Sequence, residues 1–212
     1  MGAVQENKVQ ENFQMNSIKL DKQILKDLVS LGKKRHEAKD ISFRNHSKHG
    51  RFRKYKGDSD VTIYDLTVTK RHIPHIAGVI GEFAYGKLIG EDVDRKIYSV
   101  RDDGVDFKNG AEVKTSTFYT GSFGQTELKI PKREYIERSP SLYVLARLNS
   151  KLLLKSPNEM IVDILGQISN NKFDSLKQEK QYIEGGPINY VVKQSDLEPV
   201  KVVEKPWFFD LW

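Results

Sequence analysis

Apolar residues recur at helical spacing in two segments of the chain. One covers Leu20–Leu31 and is followed by Gly32, which predicts a short amphipathic helix ending there. The other begins after Pro74, a residue suited to the first turn of a helix, and predicts a helix over 75–88. Residues 1–16 are mostly polar and predict a flexible tail.

Strand-like runs fill much of the remaining chain. Three of them, separated by turn residues, follow the second helix, and residues 131–138 then predict a basic helix. Two long apolar runs predict buried strands, with a shorter run near the end. The order of helix, three strands, helix, strand and strand indicates an α/β protein. The strand runs cover 61–69, 95–101, 104–107, 111–117, 141–148, 160–168 and 190–192.

Composition narrows the class of protein. With 212 residues, of which 38% are hydrophobic and 30% charged, the chain predicts one compact domain with extensions. No apolar run approaches the roughly 18 residues of a membrane span, and no secretory signal stands at the start. Cysteine is absent, which excludes disulfides, thiolate nucleophiles and cysteine-bound zinc. We therefore expect an intracellular, cytoplasmic protein without membrane partners.

The net charge of +6 is a local feature. Lys33–Lys56 holds ten basic and two acidic residues, and the rest of the chain is slightly acidic. Three aromatic residues alternate with these cations, a composition typical of surfaces that contact phosphates and bases. A solvated loop has the same composition. If the segment binds DNA, the predicted contacts are Arg44, Lys48, Arg51, Arg53, Lys54 and Lys56.

Two carboxylates and an ammonium group surround one predicted turn. If 108–110 form a three-residue loop with the glycine in the left-handed conformation, Asp106 faces Glu112 across the strands. Lys114 then shares the face of Glu112, because side chains alternate along a strand. A two-residue loop would separate the charges. The set fits a hard cation such as Mg²⁺, and it equally fits a cross-strand salt bridge.

Glu82 lies among glycines on the second predicted helix. Gly78 and Gly86 stand one turn away on either side. Each glycine inside a helix costs about 1 kcal/mol relative to alanine. The stripe therefore indicates either a backbone or phosphate close to Glu82, or tight packing of the helix on a sheet.

The chain contains, in this order, Glu82, Gly104-Val105-Asp106 and Glu112-Val113-Lys114, followed by a basic helix and a buried strand. This ordered set resembles the PD-(D/E)XK nuclease superfamily. Archaeal Holliday junction resolvases are the most similar members, with restriction endonucleases close behind. The resemblance spans about residues 74–170 and implies a restriction-endonuclease-like αβββαβ core with a mixed central sheet flanked by helices. Val105 stands where the written motif has proline. The overall character of the sequence suggests an archaeal virus as the source, in which case the protein would act inside the host cell.

By this resemblance, Asp106 and Glu112 bind Mg²⁺ or Mn²⁺, Glu82 completes the metal site, and Lys114 positions or activates the attacking water. Asp102-Asp103 leave open which aspartate is the ligand. The implied activity is metal-dependent hydrolysis of DNA, branched DNA included, by a homodimer. The alternatives are a restriction-like duplex endonuclease, a nuclease acting on RNA, and a DNA-binding protein that keeps the fold without cutting.

The predicted organisation has four parts. After the tail, residues 17–60 form a helix and basic DNA-contact extension, and residues 61–198 form the nuclease core. Residues 199–212 end in an aromatic tail, which either docks on its own domain or contacts a second copy.

Overall fold

The computed structural model describes residues 15–46, 59–97, 105–118 and 126–202, with the backbone alone over 40–46. The elements alternate between helices and strands, which confirms the predicted mixed α/β class. They are β1 (Asn16–Asp21), α1 (Lys22–His46), β2 (Asp60–Ile63), β3 (Leu66–Thr69), α2 (His72–Ile89), β4 (Ala111–Phe118), β5 (Glu127–Pro131), α3 (Lys132–Glu137), β6 (Leu142–Asn149), α4 (Ser150–Leu153), β7 (Glu159–Ser169), α5 (Asn170–Leu176), β8 (Gln178–Gln181) and β9 (Ile188–Lys193).

A mixed four-stranded sheet forms the centre, with strand order β1-β7-β6-β4. β4 and β6 run parallel, while β7 is antiparallel to both of its neighbours. A three-stranded sheet of β5, β9 and β8 and a β2-β3 hairpin complete the strands. The central sheet is therefore mixed, as predicted, and β4 lies at its edge within the described residues.

The two faces of the central sheet bury separate cores. On one face, Val144 and Ile164 pack with side chains of α1 and α2. On the other, Tyr143 and Leu165 pack with Phe173 and with residues of β5 and β9. The alternation of neighbouring residues such as Val144 and Tyr143 between the two cores follows from the pleat of the strand.

The first helix does not end at Gly32, so that prediction was wrong. Leu20 belongs to strand β1, and α1 runs from Lys22 to His46. A Cβ at Gly32 would lie only 2.6 Å from Cα of Ile76 on α2. Gly32 therefore allows the close crossing of two helices instead of terminating one.

The region predicted as one strand over 61–69 is a hairpin. Tyr64 and Asp65 both have positive φ, 48° and 66°, and reverse the chain between β2 and β3. The tyrosine is fixed from outside the hairpin, since its N–H donates to Oγ of Ser156 and its hydroxyl donates to the carbonyl of Pro157. These contacts from the loop before β7 stabilise a conformation that the β-branched pattern does not reveal.

The helix predicted over 75–88 is confirmed as α2, and α3, β4, β6, β7 and β9 also form where the sequence places them. The three strands expected between the two helices are not all present. Residues 95–97 and 105–107 form no strand, and 98–104 lie outside the described residues. β4 and β5 are the strands described between α2 and α3, and they belong to different sheets.

Across the described ranges, no helix is long and apolar enough to span a bilayer.

Candidate functional site

The turn before β4 has the conformation that the three-residue loop requires. Gly110 has φ 79°, and its N–H donates to the carbonyl of Phe107 at 2.9 Å. Asn109 accepts from the N–H of Ala111 and donates to the hydroxyl of Tyr85 on α2, each at 3.0 Å. The turn is thus fixed to α2 and sets the position of the residue before it.

Asp106 binds the edge of β4 through its side chain. Its Oδ2 accepts from the N–H of Val113 at 2.7 Å, while its own N–H donates to the carbonyl of Ala111 at 2.9 Å. A carboxylate therefore takes the acceptor position that a strand carbonyl would occupy, and 105–107 form no strand. Asp106 is thus hydrogen-bonded to Val113, the residue between Glu112 and Lys114.

Burial and neighbouring carboxylates raise the pKa of Asp106 to about 8. Desolvation is the largest cause, the charge of Glu82 adds to it, and the charge of Glu112 adds less. The hydrogen bond from Val113 and the charge of Lys114 act in the opposite direction. The charges of Glu82 and Glu112 thus both act on Asp106 at the edge of β4.

Glu112 and Lys114 form the pair that strand alternation predicts. Nζ of Lys114 lies 2.7 Å from Oε1 of Glu112, whose side chain is 4% exposed. Val113, between them, points the other way into the core beside α2. Oε2 of Glu112 is buried and has no hydrogen-bond partner in the described parts of the chain. Burial raises the pKa of Glu112, although Lys114 partly offsets this effect.

Two residues of the site were missed by the sequence analysis. Glu134 on α3 lies 2.6 Å from Nζ of Lys114, and Arg138, just after α3, lies 3.2 Å from Oε1 of Glu112 and 3.1 Å from Oε1 of Glu134. These four side chains form a closed ring of alternating charge. The i,i+4 spacing of Glu134 and Arg138 was the available signal, but it indicates only a common helix-surface pair.

The ring keeps Lys114 protonated. Desolvation disfavours its charge, but Glu112 and Glu134 together raise the pKa of Lys114. Burial likewise opposes ionisation of Glu134, yet Lys114 and Arg138 lower the pKa of this carboxyl overall. Lys114 is therefore a fixed ammonium group that can donate to an oxygen beside it.

Glu82 is paired with a residue of the basic segment. Nη1 of Arg35 on α1 lies 2.7 Å from Oε2 of Glu82, and Nη2 donates to the carbonyl of Asp94. Both charged side chains are largely buried, at 15% and 13% exposure. The basic helix α1 thus contacts α2 through an ion pair with the carboxylate of Glu82.

The glycine stripe around Glu82 has two roles. A Cβ at Gly81 would collide with Oγ1 of Thr115, and one at Gly86 would collide with the carbonyl of Glu91, so both glycines allow tight packing. At Gly78 the nearest atom would be Oε1 of Glu82, 3.9 Å away. Gly78 borders a cavity of about 160 Å³ whose walls include Arg35, Lys39, His75, Gly78, Glu82 and Asp106.

The three carboxylates of the site are chemically suited to a hard cation, since carboxylate oxygens are the ligands that Mg²⁺ and Mn²⁺ prefer. The unpartnered Oε2 of Glu112 is a further acceptor. In the part of the chain that the structure describes, however, no three carboxylates or imidazoles are already grouped as a metal site. The neighbouring aspartates Asp102-Asp103 lie outside the described residues.

Most of the predicted DNA contacts lie outside the described residues. The backbone of Arg44 lies in α1, which extends the basic helix beyond Arg35. The other five predicted contacts lie outside the described residues: Lys48, Arg51, Arg53, Lys54 and Lys56.

Comparisons with protein-family models, with curated protein sequences and with solved structures find no match to this chain. The resemblance to the PD-(D/E)XK superfamily therefore stays a prediction carried by the residues themselves.

Proposed function

We propose that this protein is a metal-dependent nuclease that hydrolyses phosphodiester bonds in DNA, branched DNA included. The observation that carries the proposal is the 2.7 Å hydrogen bond between Asp106 and the N–H of Val113. This bond attaches a buried carboxylate to the segment that presents Glu112 and Lys114. An aspartate, a glutamate and a lysine are then available around one strand edge, with Glu82 close enough to influence the aspartate.

In this proposal Asp106, Glu112 and Glu82 hold Mg²⁺ or Mn²⁺. When bound, the cation would polarise the scissile phosphate and lower the pKa of a water molecule. The carboxylates supply negative charge that a divalent cation neutralises, so binding relieves their mutual repulsion. The unpartnered oxygen of Glu112 gains a partner at the same time.

In the proposed hydrolysis, Lys114 acts as a hydrogen-bond donor. Its ammonium group is fixed by Glu112 and Glu134, at 2.7 and 2.6 Å, and it stays charged. A compact ammonium group can orient a water molecule and stabilise the negative charge that develops on phosphate oxygens. A protonated lysine does not abstract a proton, so we assign it positioning and electrostatic stabilisation.

A cleavage assay tests the proposal. We expect Mg²⁺- or Mn²⁺-dependent nicking of a four-way junction near its branch, and no cleavage in EDTA. Linear duplex, single-stranded DNA and RNA serve as competing substrates, so sequence-specific cuts in duplex would indicate a restriction-like enzyme instead. Single variants Asp106→Asn, Glu112→Gln and Lys114→Met should lose cleavage at least a hundredfold while still binding DNA.

A matched control is available on α3. Glu137 pairs with Arg133 at the surface, and Glu137→Gln changes the same charge as Glu112→Gln outside the ring. We expect it to cut like the unmodified protein. If all three site variants still cut DNA at the normal rate, the site is misassigned.

A second candidate function is favoured by one observation. The carboxylates of Glu82 and Glu112 already have ion-pair partners, Arg35 in the first case and Lys114 and Arg138 in the second. Such neutralised carboxylates fit a DNA-binding protein that keeps the nuclease fold without cutting. Junction binding without cleavage in either metal would support this alternative.

Cleavage of two strands of a junction would require two sites, and we propose that a homodimer supplies them. Sedimentation equilibrium of the free protein and of its junction complex measures this directly. We expect a mass of twice 24.4 kDa for the protein component of the complex.

A further inference from the structure

The cavity between α1 and α2 combines cationic and acidic walls. Arg35 and Lys39 come from α1, while Glu82 comes from α2 and Asp106 from the turn before β4. Its volume of about 160 Å³ is enough for several water molecules or one phosphate group. The cavity thus adjoins the proposed metal ligands and also carries the basic side chains of the extension.

Arg35 is the wall residue best suited to an anion. Its Nη1 contacts Glu82 and its Nη2 contacts the carbonyl of Asp94, while its Nε is buried without an acceptor among the described residues. A buried donor without a partner is unfavourable, so the two described contacts do not satisfy the guanidinium group completely. The planar guanidinium group suits the oxygens of a phosphate particularly well.

Access on the side of α2 depends on Gly78. Among the described residues, a Cβ at this position would meet nothing nearer than Oε1 of Glu82 at 3.9 Å, so the backbone there borders the cavity without close packing. By contrast, neighbouring atoms occupy the space that a Cβ at Gly81 or Gly86 would need. Gly78 is therefore the glycine that close packing does not explain, and it is also the one that borders this cavity.

We propose that this cavity is a phosphate subsite, in which Arg35 binds a backbone phosphate of the nucleic acid next to the one that is hydrolysed. The inference rests on the proposed function, because it assigns a second group of the same substrate. On binding, Arg35 exchanges part of its contact with Glu82 for the phosphate. Glu82 then becomes available to a cation, so the substrate and the metal assist each other's binding.

The first test removes the guanidinium group. Binding of a fluorescein-labelled four-way junction is measured against salt concentration, with Ca²⁺ in place of Mg²⁺ and the DNA checked for integrity afterwards. Arg35→Gln should weaken binding about tenfold, and the slope of log affinity against log salt should fall by about 0.9. Arg133→Gln, which removes the same charge from a side chain that is 78% exposed, should leave the slope unchanged.

The second test keeps Arg35 and changes the cavity wall. Gly78→Asp and Gly78→Asn introduce side chains of the same size that differ in charge, at a position where an added Cβ meets no described atom nearer than 3.9 Å. We expect the aspartate variant to bind the junction at least tenfold more weakly than the asparagine variant. Circular dichroism and Tm identify any variant that fails to fold, and this pair keeps the proposal testable if Arg35→Gln is such a variant.

The outcomes separate this inference from the proposed function. If the protein cuts nothing but the salt slope depends on Arg35, the subsite stands and the nuclease proposal falls. If the protein cuts DNA while Arg35→Gln binds like Arg133→Gln and the two Gly78 variants bind alike, the subsite alone is wrong. If the protein binds no nucleic acid, both are wrong.

Discussion

Nζ of Lys114 on β4 lies 2.6 Å from Oε1 of Glu134, a residue twenty positions later on α3. The lysine is therefore fixed by two elements, since Glu112 on its own strand contacts it as well. The position of the ammonium group depends on how α3 packs beside the sheet. This dependence makes Glu134 a positioning residue, one that acts on the proposed chemistry through Lys114.

Glu134→Gln should weaken both the fold and the proposed reaction. Lys114 and Arg138 each lose a charged partner, which we expect to lower the free energy of unfolding by about 1–3 kcal/mol. The pKa of Lys114 should fall because one of the carboxylates that raise it is gone. The alkaline limb of the pH–rate profile for DNA cleavage should therefore move to lower pH, and kcat should fall more than KM rises.

Glu137→Gln on the same helix is the control for that variant, because Arg133, the ion-pair partner described for Glu137, lies outside the ring. Urea unfolding and pH–rate profiles of the two variants provide the comparison. Equal profiles for both would show that Glu134 does not control Lys114.

Asp106 should make the protein less stable as the pH rises. The pKa of Asp106 is about 8 in the folded protein, and an unfolded aspartate has a pKa near 4. Between these values the folded state holds a proton that the unfolded state has released. The free energy of unfolding then falls by up to about 1.4 kcal/mol per pH unit. Asp106→Asn should remove this slope.

Urea titrations from pH 5 to 8 measure the effect as a difference between Asp106→Asn and the unmodified protein. Contributions from other groups are common to both proteins and cancel. A difference that does not change with pH would mean that the aspartate ionises normally in the fold.

Divalent cations should stabilise the protein most at alkaline pH, where the three carboxylates are ionised and repel one another. At a cation concentration of a hundred times Kd, linkage predicts a gain of about 2.7 kcal/mol. Thermal unfolding with Mg²⁺, Mn²⁺ or EDTA measures this gain. Asp106→Asn and Glu112→Gln should each reduce it, and an equal gain in these variants would place any bound cation elsewhere.

Two Gly→Ala substitutions should have opposite effects on stability. At Gly32 the added methyl group would lie 2.6 Å from Cα of Ile76, so we expect a loss of about 1–3 kcal/mol. At Gly78 the site is open and alanine is the better helix former, so we expect a gain of up to about 1 kcal/mol. Chemical denaturation of both variants checks the pair, and a neutral Gly32→Ala would argue against the close helix crossing.

The basic segment should determine much of the salt dependence of DNA binding. If its four central cations contact phosphates, neutralising them should reduce the slope of log affinity against log salt by about 0.9 each. The variant changes Arg51, Arg53, Lys54 and Lys56 to glutamine. A control variant neutralises four exposed lysines of the described surface, namely Lys19, Lys26, Lys151 and Lys155. Equal slopes for the two variants would mean that the segment is ordinary surface.

Local patterns predicted most of the helices and strands because each pattern reports burial along one element. The α2 helix and strands β6 and β7 formed as expected for that reason. Gly32 misled the prediction because the same residue that ends helices also permits close helix contacts. The sequence contains no sign of which helix will cross there, so the distinction needs the tertiary structure.

The site was predictable only where its residues are close in sequence. The alternation of Glu112 and Lys114 and the left-handed Gly110 follow from strand and turn geometry. The pairs of Lys114 with Glu134 and of Arg35 with Glu82 join residues from separate elements. Such pairs have no periodic signature, and they depend on how the helices dock on the sheet.

The pairing of β1 with β7 has a consequence for how the chain is made. Oγ of Ser17 donates to Asp163 from 146 positions away, and the two strands form one continuous antiparallel ladder. On the ribosome, the first strand of the central sheet therefore emerges long before its only described neighbour has been translated. Until then its backbone groups lack their partner, so β1 presents an unpaired strand edge for most of the synthesis of the chain.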